Sequence, residues 1–206
     1  MLDKALDQAV DRAVEALRRG ELVVYPTETL YALGADAASP AALRRLFAAK
    51  AREAGKPVAL IAADPAMGFA IARDIPGAAR RLAKAFWPGP LTLVMPAKAG
   101  LPESLVGADG GVGVRVSSHP IAHALARRLG RPITATSANP AGQPPSTTIE
   151  QARAAFGRKV KVYLEGGELG GSPPSTVVAF DREAIKVLRA GAIPRRRLEA
   201  ALTGAR

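Results

Sequence analysis

Hydrophobic positions along this chain switch repeatedly between helical and extended spacing. From Leu2 to Leu17 apolar residues recur every three or four positions, and Gly20 follows, which predicts an amphipathic first helix that stops there. Further helices are predicted at 39–50, from Pro65, at 76–86, at 120–130 and at 149–156. Strands are predicted between them at 21–25, 58–62, 91–96, 112–116, 132–136 and 160–164.

The last two hydrophobic segments differ in how closely they follow one another. Residues 175–180 and 184–189 are joined by three residues only, a spacing typical of a β-hairpin. Strands that alternate with helices and then end in a hairpin predict an α/β fold, with helices flanking a mixed sheet. The pattern contains no repeat and no interdomain linker, so we expect residues 1–206 to form a single domain.

Composition adds limits on location and chemistry. Hydrophobic residues make up 48% of the 206 residues, enough for a substantial core. The absence of cysteine excludes disulfides, thiolate metal ligands and a cysteine nucleophile. The first residues mix charged and apolar positions without a long apolar run, so we expect no signal peptide, no membrane association and a cytoplasmic location.

The charge balance favours anionic partners. Lysine and arginine number 29 against 18 acidic residues, a formal net charge of +11. Nucleotides, acidic metabolites and nucleic acid all fit this balance, although a generally basic surface explains it equally well. Aromatic residues are only 4% of the chain, so stacking platforms for single-stranded nucleic acid are scarce.

Several polar segments at strand and helix ends are candidates for binding. Residues 26–31 place hydroxyls and a carboxylate directly after a buried strand, as either a plain turn or a ligand site. Lys50 and Arg52 fall where the second helix gives way to a loop, with Lys56 just beyond, and the three cations suit phosphate or carboxylate groups. Ordinary solvated cations at a helix C-terminus are the alternative.

The segment at 134–147 is a candidate anion site. Thr136, Ser137 and Asn139 end a strand, and Gly142 permits a tight turn, so hydroxyls, an amide and backbone N–H groups can converge there. No Gly-Lys-Ser/Thr follows, so it is not a Walker P-loop. A polar Asx-type turn is the alternative.

Arg115 is a charged residue within an otherwise apolar strand. An unpaired buried charge is costly, so its side chain must reach water, a partner or a ligand. His119 and His123 have the spacing of helical zinc ligands, but a third ligand is missing from the pattern, and we predict no metal site. Trp87 is interpreted as a packing anchor beside a turn.

Taken together in order, these segments resemble a known family. They read YPTETLYALGAD, KAR, WPGPLTLVMPA, VGVRVSSHP, TSANPAG, STVVAF and VLRAGAI. They are similar to the signatures of the YrdC/Sua5 family of L-threonylcarbamoyladenylate synthases. The match extends from the first helix to about Pro194, so we expect a YrdC-like core at about 5–194 and a short C-terminal helical tail.

The resemblance implies a twisted sheet around a basic cavity, and a nucleotidyltransferase. This enzyme class makes threonylcarbamoyl-AMP and pyrophosphate from L-threonine, bicarbonate or CO2, and ATP, with Mg²⁺ arriving on the ATP. The product serves the threonylcarbamoyl transferase machinery, which modifies adenosine in tRNA. Direct tRNA binding is a further expectation. A non-catalytic module that binds double-stranded RNA or tRNA through the same basic surface is the alternative.

The resemblance also implies roles for individual residues. Thr27 and Thr29 face the threonine substrate, and Arg115 meets its carboxylate. Lys50 and Arg52 act as catalytic residues at the triphosphate and the carboxylated intermediate. The remaining ATP contacts are Lys56, Ser137, Asn139, Ser175, Thr176 and Arg189.

The chain departs from the family pattern at three points. Ala32 stands where many relatives have glycine, and the strand at 58–62 is not followed by the histidine of long members. The chain also ends soon after the VLRAGAI segment, as expected for the short YrdC-like form.

Overall fold

Strands and helices alternate along the chain as the sequence predicts. The computed structural model describes residues 3–51, 58–170 and 172–204. Its helices are α1 (Lys4–Arg18), α2 (Pro40–Lys50), α3 (Pro65–Ala70), α4 (Gly77–Phe86), α5 (Pro120–Leu129), α6 (Ile149–Phe156) and α7 (Arg195–Thr203). Its strands are β1 (Val23–Pro26), β2 (Tyr31–Gly34), β3 (Leu60–Ala62), β4 (Leu91–Pro96), β5 (Gly111–Val116), β6 (Ile133–Thr134), β7 (Thr136–Ser137), β8 (Val162–Tyr163), β9 (Thr176–Asp181) and β10 (Ala184–Arg189).

The strands form two sheets, where the sequence pattern suggested one. Six strands pair in the order β10-β9-β4-β5-β3-β6 and four in the order β7-β2-β1-β8. Each sheet contains parallel and antiparallel pairs, so the predicted mixed α/β class is confirmed. The predicted hairpin is also confirmed, with Val178 opposite Val187 in the antiparallel pair of β9 and β10.

A bend at Ala135 joins the two sheets. The predicted strand at 132–136 divides into β6, which pairs in the larger sheet, and β7, which pairs in the smaller one. Between them, the Ala135 N–H donates to the carbonyl of Ala59 at 2.7 Å. One short segment therefore holds both sheets in a fixed relation.

Hydrophobic side chains fill both faces of this frame. The predicted apolar face of α1 is buried, including Val10, Val14 and Leu17, and it packs with α5 in a cluster of its own. A larger cluster surrounds β2, β3, β4 and β5. Trp87 is buried there against Phe69 and donates from Nε1 to the carbonyl of Leu91, which confirms its packing role. None of the described helices is long and apolar enough to cross a membrane.

Candidate active site

Residues of both sheets line a cleft of about 670 Å³. Strand β5 forms part of its wall, because alternate residues of a strand point to opposite faces. Gly111, Gly113 and Arg115 lie on the cleft face, whereas the valines at 112, 114 and 116 lie in the core. On this face of β5, two glycines without side chains thus precede the long, positively charged side chain of Arg115. The volume of the cleft falls in the range of ligand pockets.

Arg115 is buried yet lines the cleft, with 6% of its surface exposed. Its Nη1 donates to Oγ1 of Thr29 at 3.4 Å and lies 3.6 Å from Oε1 of Glu28. A charge in this apolar strand is expected to reach water, a partner or a ligand. In the structure Arg115 both pairs with the carboxylate of Glu28 and lines the cleft.

The turn between β1 and β2 places Thr29 beside this arginine. Oγ1 of Thr27 donates to the carbonyl of Leu30 at 2.7 Å and accepts from the N–H groups of Thr29 and Leu30. Thr27 is fully buried behind the turn, while Thr29 lines the cleft. Of the two predicted threonine-binding residues, Thr29 therefore lies on the wall, and Thr27 shapes the backbone that carries it.

Lys50 lies in the last turn of α2, beneath the end of β7. Its Nζ donates to the carbonyls of Ser137 and Asn139 at 2.6 and 2.7 Å, and only 2% of the residue is exposed. The helix that carries it is capped by Ser39, whose side chain accepts from the N–H of Ala42. Lys50 thus ties the predicted anion segment to α2. Arg52 and Lys56 fall outside the described residues.

Ser137 and Asn139 have different surroundings. Ser137 lines the main cleft. Asn139 lines a neighbouring cavity of about 520 Å³, where its Nδ2 donates to the carbonyls of Pro140 and Gln143. Its Oδ1 is buried and has no hydrogen-bond partner among the described residues. The tight turn expected at Gly142 is present, with φ +80°.

The late segment contributes a second arginine to the cleft. Arg189 donates from Nη2 to the carbonyl and Oγ of Ser175 at 2.8 and 3.0 Å, and both residues line the cleft. Oγ of Ser175 also lies 2.9 Å from Oγ1 of Thr92. Thr176 is buried, and its side chain exchanges hydrogen bonds with the backbone of Ile193, so it holds the loop that follows β10.

A register shift in β10 brings two successive side chains to the cleft. The pairing with β9 slips between Val187 and Arg189, and Leu188 and Arg189 both line the cleft. Leu188 is 49% exposed. Sequence reasoning did not single out Leu188, because a bulge cannot be located from alternation alone.

Arg115 and Arg189 both line the cleft, together with Asp109, and Arg115 is paired with Glu28. Burial lowers the pKa of the Arg189 guanidinium from its ordinary value, and the positive charge of Arg115 lowers it further. A negatively charged group between the two guanidinium groups would offset both the lost hydration of Arg189 and its repulsion from Arg115. The cleft is therefore suited to an anionic ligand.

His119 serves the start of α5. Its Nδ1 accepts from the N–H of Ile121 at 3.3 Å, which caps the helix. Burial lowers the pKa of His119, and the nearby Glu28 carboxylate opposes that shift. Among the described residues, no group of three or more histidines and carboxylates is arranged to hold a metal ion.

Comparison with known proteins places this arrangement in a family. The Sua5/YciO/YrdC family model, described as telomere recombination, matches residues 15–191. A threonylcarbamoyl-AMP synthase of Vibrio cholerae is 39% identical over 189 residues, covering 91% of this chain and 100% of that protein. A protein of the same name from Pyrococcus abyssi is 39% identical over 183 residues, covering 89% of this chain and 54% of that protein.

Solved structures agree with this assignment. The crystal structure of P. abyssi Sua5 complexed with L-threonine has a TM-score of 0.89 at 38% identity, covering 93% of this chain and 56% of that one. The crystal structure of E. coli YciO has a TM-score of 0.80 at 28% identity, covering 91% of each chain. This chain therefore spans about half of the archaeal relative and nearly all of the two bacterial ones. The sequence motifs, the family model and the shared fold agree that the chain belongs to the Sua5/YciO/YrdC family.

Proposed function

We propose that this protein is a threonylcarbamoyl-AMP synthase, which joins L-threonine, bicarbonate or CO2, and ATP and releases pyrophosphate. The observation that carries the proposal is the match with the V. cholerae threonylcarbamoyl-AMP synthase over that protein's full length. The cleft adds physical support, since its two arginines suit a reaction in which threonine, ATP and the carbamate intermediate each carry a negatively charged group.

Threonine binds at the Arg115 end of the cleft in this proposal. The guanidinium of Arg115 receives the substrate carboxylate, and Oγ1 of Thr29 lies beside it. Thr27 acts from behind by holding the turn. The complex of P. abyssi Sua5 with L-threonine supports threonine as a substrate of a protein with this fold.

ATP binds in the same cleft, where Arg189, Ser175 and Ser137 are the predicted contacts that line it. Lys50 and Asn139 support this region by holding the end of β7 and the turn after it, and Thr176 holds the following loop. Arg52 and Lys56 are assigned to the phosphates by their sequence motif alone. Mg²⁺ enters as MgATP, coordinated mainly by phosphate oxygens.

The reaction requires positioning more than a protein nucleophile. Where bicarbonate is the source, it takes up a proton and loses water to give CO2. The threonine ammonium group loses a proton to solvent, the resulting amine attacks the carbon of CO2, and the nitrogen then loses a second proton to solvent to give a carbamate. A carbamate oxygen then attacks the α-phosphorus of ATP, and pyrophosphate leaves with the electron pair of the broken P–O bond. Arginine and lysine side chains align the anions and offset the charge that develops at the α-phosphate. We place the reaction in the cytoplasm, where a threonylcarbamoyl transferase passes the product to tRNA.

Incubation of the purified protein with ATP, bicarbonate and threonine tests the proposal directly. Mass analysis should detect threonylcarbamoyl-AMP, and pyrophosphate release should depend on both threonine and bicarbonate without any tRNA. Omitting each substrate in turn provides the control. The absence of release both with and without tRNA would instead favour a module that binds RNA without catalysis, and release that needs tRNA would refute the tRNA-independent reaction proposed above.

A further inference from the structure

Glu28 is a charged residue of the β1–β2 turn that the proposed reaction does not yet use. Its side chain is 15% exposed. Oε2 accepts a hydrogen bond from Oγ of Ser117, at the end of β5. Oε1 is buried, has no hydrogen-bond partner among the described residues and faces Nη1 of Arg115 at 3.6 Å. Burying Oε1 of Glu28 beside the charge of Arg115 costs hydration, so a function of this contact would explain why it is present.

Arg115 is held at one end only. Thr29 and Glu28 both lie at Nη1. Across the described residues, Nη2 and Nε of Arg115 make no hydrogen bond, and neither is among the buried unpaired atoms. These two groups form the planar edge that binds a carboxylate through paired hydrogen bonds. The β1–β2 turn thus fixes the guanidinium through Nη1 and leaves the edge formed by Nη2 and Nε accessible to a ligand.

Glu28 also compensates the charge of Arg115. A guanidinium with a side chain only 7% exposed has lost most of its hydration, and a second guanidinium, that of Arg189, lines the same cleft. Removing one partner of a buried ion pair leaves the other charge uncompensated. Without Glu28, Arg115 would gain by turning toward water or toward another acceptor.

We propose that Glu28 is a positioning residue, which holds Arg115 so that its Nη2 and Nε edge faces the carboxylate of the amino-acid substrate. The inference rests on the proposed function for the identity of that substrate. Ser117 assists by fixing the carboxylate of Glu28 from the other side. The turn and the end of β5, which lie far apart in sequence, thereby act on one substrate contact.

Two other roles for Glu28 predict different behaviour. A purely structural ion pair predicts a loss of stability with equal effects on all substrates. A competing anion, which merely cancels part of the Arg115 charge, predicts tighter threonine binding when Glu28 is neutralised. The positioning role predicts weaker threonine binding and little change for ATP.

Glu28→Gln is the main test, because it removes the charge and keeps an oxygen that can accept from Ser117. Calorimetric titration should show threonine binding weakened about tenfold or more, and ATP binding changed by less than about twofold. In steady-state assays the effect should appear in KM for threonine rather than in kcat. Glu28→Asp keeps the charge and should recover part of the loss. Ser117→Ala should weaken threonine binding in the same direction by a smaller factor.

The outcomes separate this inference from the proposed function. Unchanged or tighter threonine binding in Glu28→Gln overturns the positioning role even if the native protein makes threonylcarbamoyl-AMP. Equal losses for threonine and ATP overturn it in favour of a structural ion pair. A native protein that binds threonine but makes no product refutes the proposed function alone. If the native protein does not bind threonine, both proposals fail.

Discussion

Arg115 brings a full positive charge into the interior of the molecule, and its immediate neighbours determine how that charge is used. Glycines at alternate positions of β5 leave room in front of it, and Glu28 and Thr29 hold it from behind. A single side chain therefore combines burial, an ion pair and access to the cleft. This combination gives a ligand contact of fixed geometry, because little rotamer freedom remains to be lost on binding.

Replacing Arg115 by lysine should separate charge from geometry. An ammonium group keeps the charge but cannot offer two parallel N–H donors to one carboxylate. We expect Arg115→Lys to weaken threonine binding by about tenfold or more, equivalent to about 1.4 kcal/mol, with ATP binding nearly unchanged. Calorimetric titration with each ligand provides the measurement.

The thermal midpoint of Arg115→Lys serves as the control for folding. Equal losses for both ligands would indicate a collapsed cleft or a phosphate role. Undiminished threonine binding would exclude Arg115 from carboxylate recognition.

Sequence reasoning identified many of the cleft residues but not how they are supported. Arg115 stood out because a charge in an apolar strand requires an explanation, and Thr29 because hydroxyls followed a buried strand. The carboxylate of Glu28 stands out in the same motif, but the sequence assigns it no role of its own, since its significance depends on Arg115, far along the chain. Lys50 is similar, because its carbonyl partners lie 87 and 89 residues away. Local sequence cannot reveal such pairings.

At the scale of elements, the loop after β10 crosses the start of β9 at very short range. A Cβ on Gly191 would lie 2.2 Å from the carbonyl oxygen of Pro174 and 2.6 Å from the backbone nitrogen of Thr176. These are backbone atoms, so the contact cannot be relieved by rotating a side chain. Ser175, which binds Arg189, lies in the same segment.

We expect Gly191→Ala to lower the free energy of unfolding by about 1–3 kcal/mol, the usual cost of overpacking, and to reduce ATP binding by displacing Ser175. Urea denaturation and ATP titration provide the two measurements. Gly170→Ala is the matched control, because a Cβ there meets nothing within 4 Å. Equal free energies of unfolding for the two variants would show that the backbone at Pro174–Thr176 moves away from the new Cβ without loss of stability.

A second contact between elements joins the β9–β10 hairpin to α4. The carboxylate of Glu183 accepts from the N–H groups of Gly77 and Ala78, both at 2.8 Å, and pairs with Arg81. The residue before the helix, Pro76, makes no side-chain cap. The hairpin therefore caps a helix that lacks a cap of its own.

This cap should be sensitive to acid. The hydrogen bond from Gly77 is the main cause that lowers the pKa of Glu183 below its ordinary 4.5. A lowered pKa in the folded state adds stability above the ordinary pKa, and that stability is lost as the pH falls through the lowered pKa. Native protein should thus exceed Glu183→Gln in stability at about pH 7, and the difference should shrink toward about pH 3. Urea denaturation across this range is the test, and a pH-independent difference would contradict it.

The limits of prediction at this scale follow from how each element is specified. Helices were located well because caps and periodicity are local, as with Ser39 and Pro40 at the start of α2. The division into two sheets was missed, because the bend at Ala135 depends on a distant partner, Ala59. The predicted strand at 160–164 is shorter in the structure, where β8 covers Val162–Tyr163, although the N–H groups of Lys161 and Leu164 on either side also donate to the carbonyls of Leu22 and Val24.

At the scale of the whole molecule, the net charge of +11 should affect the two larger substrates differently. MgATP carries net negative charge, whereas threonine is a zwitterion. Raising the salt concentration from about 0.1 M to about 1 M shortens the Debye length from about 10 Å to about 3 Å. The KM for ATP should rise about threefold or more over this range, and the KM for threonine by less than about twofold. Steady-state kinetics in KCl would measure both, and equal responses would indicate that the field of the whole protein does not assist ATP binding.

The register shift in β10 has a consequence beyond the cleft. This strand is the last in its sheet, and its outer edge presents backbone groups on which a strand from another molecule could pair. The bulge at Leu188 breaks the regular spacing of those groups, and Lys186 and Arg189 on either side add charge. An incoming strand would find no continuous ladder and would bring two cations into contact with itself. The irregularity that turns Leu188 and Arg189 toward the cleft is thus also a feature that disfavours edge-to-edge pairing of this strand with another molecule.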